Sequence, residues 1–183
     1  DGSARWNDGD YGFAIPQAYV SFGRKDLSIQ VGHFYSVVGY EGLMSPDNFF
    51  YSKSYSYQFA GPFTHWGGQA TWKPSEAWTV QAGIHNGWDA LDRVSDRPGF
   101  IGKIRYDDES GIWTSFAITT GDEANDPAGL GLAADFSNRT RYSFLVSLPV
   151  TCQIEYVFHH WLGVQENGTA NGGNADWYGI DQY

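Results

Sequence analysis

A chain of 183 residues with 17% aromatic and only 17% charged residues has the length of one domain, but less charge than the roughly 25% of ordinary soluble domains. Its net charge of −10 argues against broad binding to nucleic acid or another polyanion. A single cysteine, Cys152, excludes an internal disulfide, and no stretch approaches the ~18 unbroken apolar residues of a membrane helix.

Alternation of apolar and polar residues with a period of two runs along nearly the whole chain, and helical periodicity is almost absent. It predicts nine strands, at about 12–23, 27–37, 55–72, 77–88, 99–106, 112–120, 137–148, 152–163 and 175–183, and no helix. No linker or fixed long repeat divides them, so residues 1–183 read as a single domain. The connections alternate in length. Arg24-Lys25-Asp26, KPSE (73–76), DDESG (107–111) and the turn at Pro149 are short; 38–54, 89–98, 121–136 and 164–174 are long. A soluble sandwich has no reason to obey that rule. An outer-membrane barrel does, because tight turns face one compartment and long loops the other.

The faces of the strands are separable. Trp78, Val80, Ala82 and Ile84 share one face of their strand; Thr79, Gln81, Gly83 and His85 share the other. Thr140, Tyr142, Phe144, Val146 and Leu148 oppose Arg139, Arg141, Ser143, Leu145 and Ser147. In a barrel the apolar face meets lipid and the polar face turns inward. Trp72, Trp78 and Tyr106 fall on the apolar parity beside short turns, as an aromatic girdle at headgroup level would. Trp113 falls on the polar parity and breaks the pattern.

The blocks FAIPQAYVSFG (13–23), LSIQVGHFYSVVGYEGLMSPDNFFYSKSYSYQFAGPFTHWGGQATW (27–72), GIHNGWD (83–89) and TTGD (119–122) together resemble the outer-membrane β-barrel porins of the OmpL-like type. The resemblance implies an antiparallel up-and-down transmembrane barrel in the outer membrane of Gram-negative bacteria, acting as a channel, with no catalytic residue to carry over. Such barrels have even strand numbers. Nine strands and no leader before Asp1 therefore suggest part of a larger barrel. Closed alone, an eight-stranded form would be filled by side chains.

On that reading Lys103, Arg105, Arg139, Arg141, Glu155, Gln69, Gln81, His85 and Gln153 line the pore. The four basic residues would favour anions, unless they pair with carboxylates such as Glu155. Tyr40, Glu41, Asp47, Phe49 and Phe50, in the long connection after the second strand, are candidates for a constriction loop folded inward. The histidines show no metal-ligand spacing, and His159 and His160 point to opposite faces. The acidic segment GDEANDPAG (121–129) reads as a solvated loop; its spacing is not that of an EF-hand. There is no GxSxG, and no spacing singles out a Ser-His-acid triad. No enzyme activity, cofactor or metal is expected. The partners are outer-membrane lipid and small hydrophilic solutes or ions, with no nucleic acid, and a homo-oligomer is a possible form.

The alternative is a secreted, soluble all-β domain that binds carbohydrate or hydrolyses glycosides, with Trp66, Trp72, Trp78 and Trp88 as stacking platforms or core and Glu155 as the one strand-centred acid. The two readings place Val80, Ile84, Phe144 and Ile154 on opposite sides of the protein.

Overall fold

The computed structural model describes residues 15–90, 97–125, 135–169 and 171–183. The start of the expected 12–23 strand, and most of the 89–98 and 121–136 connections, lie outside them. Nine strands form one antiparallel sheet whose spatial order is the chain order, and the sheet is not closed. They are β1 (Ala18–Arg24), β2 (Leu27–Tyr35), β3 (Thr64–Trp72), β4 (Trp78–His85), β5 (Gly99–Asp107), β6 (Trp113–Asn125), β7 (Asp135–Pro149), β8 (Glu155–Gln165) and β9 (Ala175–Gln182). Residues 25–26, 73–77, 108–112 and 150–154 turn the chain at one end, and the longer connections gather at the other.

The apolar face points out. Val20, Val31, Ile84, Phe100, Ile104, Phe116, Phe144, Ile154 and Ile180 are exposed, Ile84 and Ile154 each at 58%. Buried side chains on the opposite face are largely polar: Gln69, His85, Ser115, Thr119, Arg141, Ser143, Ser147 and His159. A water-soluble sandwich requires the reverse. Among the described residues no helix is long and apolar enough to cross a membrane. With apolar side chains outward, each interior strand still pairs its backbone on both edges, as hydrocarbon demands. Trp72, Trp78 and Tyr106 are all exposed on this outer face. The rings of Trp78 and Tyr106 lie 4.8 Å apart, across the directly paired positions of β4 and β5.

Two local expectations are corrected. Residues 55–72 are not one strand: β3 begins at Thr64, and Tyr55–Phe59 form a short helix, α1. The Ser-Tyr alternation of this stretch mimics a strand. Ser54 instead caps a helical turn, its Oγ accepting from the Tyr57 N–H at 3.2 Å. A further 3-10 turn covers Ser45–Asp47, with Pro46 in its first turn. The eighth strand starts at Glu155 instead of 152, because residues 151–153 bend and the Val150 and Thr151 N–H groups both donate to the Ile154 carbonyl.

The connection from Ser36 to Phe63 lies against the inner face. Val38, together with Ile101 of β5 and Ala117 of β6, forms the cluster of buried hydrophobic residues, with Val37 packed on it. Among the described residues, this apolar cluster is thus a contact between the sheet's inner wall and a connecting segment.

Candidate functional site

The inner wall and the Ser36–Phe63 segment form one polar assembly. The segment is closed at its base, where Ser36 N–H donates to the Phe63 carbonyl at 2.9 Å. Asp89, in the β4–β5 connection, clamps the same base: its Oδ1 accepts from the N–H groups of Phe63 (2.9 Å) and Thr64 (2.8 Å). Partial burial against this backbone raises the carboxyl of Asp89, a residue that is otherwise exposed, above its usual range, opposed by those hydrogen bonds. Tyr57 is pushed up to about 12 by burial first, then by Asp89 and Glu41.

Further in, Tyr40 stacks on Trp113 with ring centres 6.2 Å apart, and meets the Tyr183 ring at 4.8 Å. Trp113, out of place for a lipid girdle, is therefore the inner-wall platform for the segment. Glu41 accepts from the Ser54 N–H and hydroxyl and, at 3.3 Å, from the Tyr183 hydroxyl. Burial, then Glu155 and Glu41, raises the Tyr40 phenol. From the wall, the indole N–H of Trp177 donates to the Ala60 carbonyl at 3.0 Å. Gly61 crosses the Arg141 guanidinium so closely that a Cβ there would collide with it.

The pore-lining candidates are distributed as follows. Lys103 and Arg105 on β5, and Arg139 and Arg141 on β7, face inward. The register puts Lys103 opposite Ala117 and Ala117 opposite Ser143, one inward step from Arg141. Arg105 is bound by Asp107, with Nε 2.9 Å from Oδ2, and lies 4.1 Å over the Trp113 ring. Arg139 donates to Gln165 Oε1 at 2.8 Å and lies 5.0 Å over Trp88. Arg141 is only 2% exposed and its Nε has no hydrogen-bond partner. Among the described residues, neither Lys103 nor Arg141 forms a salt bridge. Glu155 accepts from the Ser147 hydroxyl. Gln69 and His85 are buried on the same wall, and Gln81 donates to Thr71 at 3.2 Å. Gln153 sits in the turn before β8, exposed at the rim. Of the constriction candidates, Tyr40 and Glu41 reach the inner wall, whereas Asp47, Phe49 and Phe50 are exposed on the distal part of the segment.

Several contacts among inner-face residues carry no signal in the sequence. His65 and His85 come from β3 and β4 and bring their rings to 4.4 Å. Glu123 accepts from the Trp88 N–H at 2.7 Å. Trp161 and Trp177 each lie over a glycine of the neighbouring strand, Gly179 and Gly163, where a Cβ would strike the ring. Parity alone could have placed Asp181 and Trp177 inward; their partners depend on register.

Among the described residues no group of three or more His, Cys, Asp or Glu side chains could hold a metal ion. No curated protein and no solved structure matches the chain. One family model matches from residue 1 to residue 183. With apolar strand faces outward, polar faces inward and turns alternating with long connections, the chain belongs to the family described as "Putative beta-barrel porin-2, OmpL-like".

Proposed function

We propose that this protein is a passive outer-membrane channel for small hydrophilic solutes, narrowed by the Ser36–Phe63 segment and selective for anions. Membership of a porin family points to an outer-membrane channel. The supporting observation for the finer reading is the inward placement of Lys103 and Arg105 on β5 and of Arg139 and Arg141 on β7. Glu123 lies toward the long-loop end, and Asp107 and Glu155 toward the turn end. An inner wall carrying these four cations, with Lys103 and Arg141 outside any salt bridge among the described residues, favours anions electrostatically. The exposed outer face, with Trp78 and Tyr106 near the turns, is the surface that lipid would cover.

The test is single-channel recording in planar bilayers under a potassium chloride gradient. The expected reversal potential has the sign of anion preference, and the double substitution Lys103→Gln, Arg139→Gln moves it toward cations. An unchanged potential removes the strip from the permeation path; absence of any conductance removes the channel.

A further inference from the structure

Three side chains of β7, β8 and β9 meet on the inner wall. The register sets His159 directly opposite Asp181 and pairs it with Leu145, placing Ser143 at the diagonal position. Ser143 Oγ lies 2.8 Å from His159 Nε2. His159 Nδ1 lies 3.1 Å from Asp181 Oδ2, although off the line of a well-formed hydrogen bond. The indole N–H of Trp161 donates to the same oxygen at 3.0 Å and fixes the carboxylate.

We propose that Ser143, His159 and Asp181 form a hydrolytic triad acting on small acetyl-type esters of hydrophilic alcohols. A carboxylate 3.1 Å from Nδ1 favours the imidazole proton on that nitrogen by its charge, and a small rotation of the ring would align the bond and leave Nε2 to take the hydroxyl proton; such triads are recognised by geometry and roles, whatever the order along the chain. Backbone N–H groups within a strand are committed to the ladder and cannot form an oxyanion hole. Arg141 replaces them. It stands two residues before Ser143 on the same face, buried, with Nε unpartnered. A cavity of about 30 Å³ is bordered by Arg141, His159, Ser56 and Gly61 but not by Ser143, and has room for one or two waters; a small acyl group needs the further space that displacement of the overlying segment opens.

Ser143 Oγ would attack the ester carbonyl as its proton passes to His159 Nε2. The tetrahedral oxyanion collapses, the C–O bond breaks, and the alcohol leaves with that proton. Water, deprotonated by the same nitrogen, then cleaves the acyl-serine and restores the hydroxyl. Ser143 and His159 are buried at 0% and 1% exposure, so access follows displacement of the segment from Ser54 to Gly61. The proposal is independent of ion selectivity, because it is read in detergent on the folded full-length protein.

That protein is treated with methanesulfonyl fluoride, a serine-directed probe of acetyl size, and the adduct is mapped by mass spectrometry. Hydrolysis of p-nitrophenyl acetate is followed in parallel. The expected adduct is on Ser143, forming faster in Trp177→Phe, which releases Ala60. His159→Gln should slow it about 100-fold or more, and Asp181→Asn should displace its pH profile. No Ser143 adduct in either wild type or Trp177→Phe overturns the triad. So does equal labelling in His159→Gln that retains the β-sheet circular dichroism of the folded protein. Should that variant not fold, ester hydrolysis undiminished in Ser143→Ala overturns it instead.

Discussion

Trp177 and Ala60 are 117 positions apart, yet the indole N–H of one donates to the carbonyl of the other at 3.0 Å. The last strand thereby holds the segment that lies against the wall. A hydrogen bond of this kind contributes about 1 kcal/mol net. Trp177→Phe keeps an aromatic side chain on the inner face beside Gly163 and removes the donor together with part of the indole. Amide exchange across Ser54–Gly61 should quicken about fivefold, and single-channel currents should become noisier. Unchanged exchange would show that the indole tie does not restrain the segment.

Gly61 makes a steric counterpart. A methyl group there meets the Arg141 guanidinium, whereas at Gly68 the nearest atoms are 3.7 Å away. Gly61→Ala should therefore weaken docking by about 1–3 kcal/mol and enlarge the unitary conductance. Gly68→Ala serves as the control and should leave conductance unchanged.

The outer face predicts a depth-dependent penalty. Phe144 pairs with Phe116 near mid-strand, and Leu148 lies close to the turn. Arginine at the level of the bilayer midplane costs about 2–4 kcal/mol, and near the interface about 0–1. Phe144→Arg should accordingly lower the denaturation midpoint in lipid vesicles much more than Leu148→Arg. Equal effects would contradict a lipid-facing orientation.

Asp89 links stability to pH. Its folded carboxyl lies above the ordinary value of 3.8, chiefly through burial. Folding thus favours the protonated form: this contribution is fully present below the ordinary value and is lost as pH rises through the folded one. Asp89→Asn should flatten that dependence. It keeps an acceptor for Phe63 and Thr64, and asparagine tolerates the residue's φ of 52°. Asp89→Ala strands two N–H groups and should cost about 1–3 kcal/mol. Urea titrations in detergent between pH 3 and 7 would read both effects.

The strand pattern was legible because parity is local: Trp78, Val80, Ala82 and Ile84 declare their common face in eight residues. Turn and loop lengths likewise mark the two ends. Tyr55–Phe59 misled because its alternation fits a strand, while contacts from Asp89, Glu41 and Trp177 hold this stretch as a cap and a helical turn. Trp113 looked anomalous because its partner, Tyr40, comes from a segment whose path only tertiary structure determines. The meeting of Ser143, His159 and Asp181 was illegible for a related reason. Each belongs to a different strand, and a shift of register by one residue would scatter them to opposite faces.

Because spatial order repeats chain order, each strand finds its partner immediately before or after itself. No ribbon has to be threaded between two that have already joined. Loop-closure entropy is met in small instalments, and the Arg24–Leu27 hairpin, whose ends pair across two residues, offers the least demanding nucleus. Such a wall can grow by successive hairpins at the membrane threshold, with the Ser36–Phe63 stretch settling only after β5 to β9 have supplied the surface it rests on.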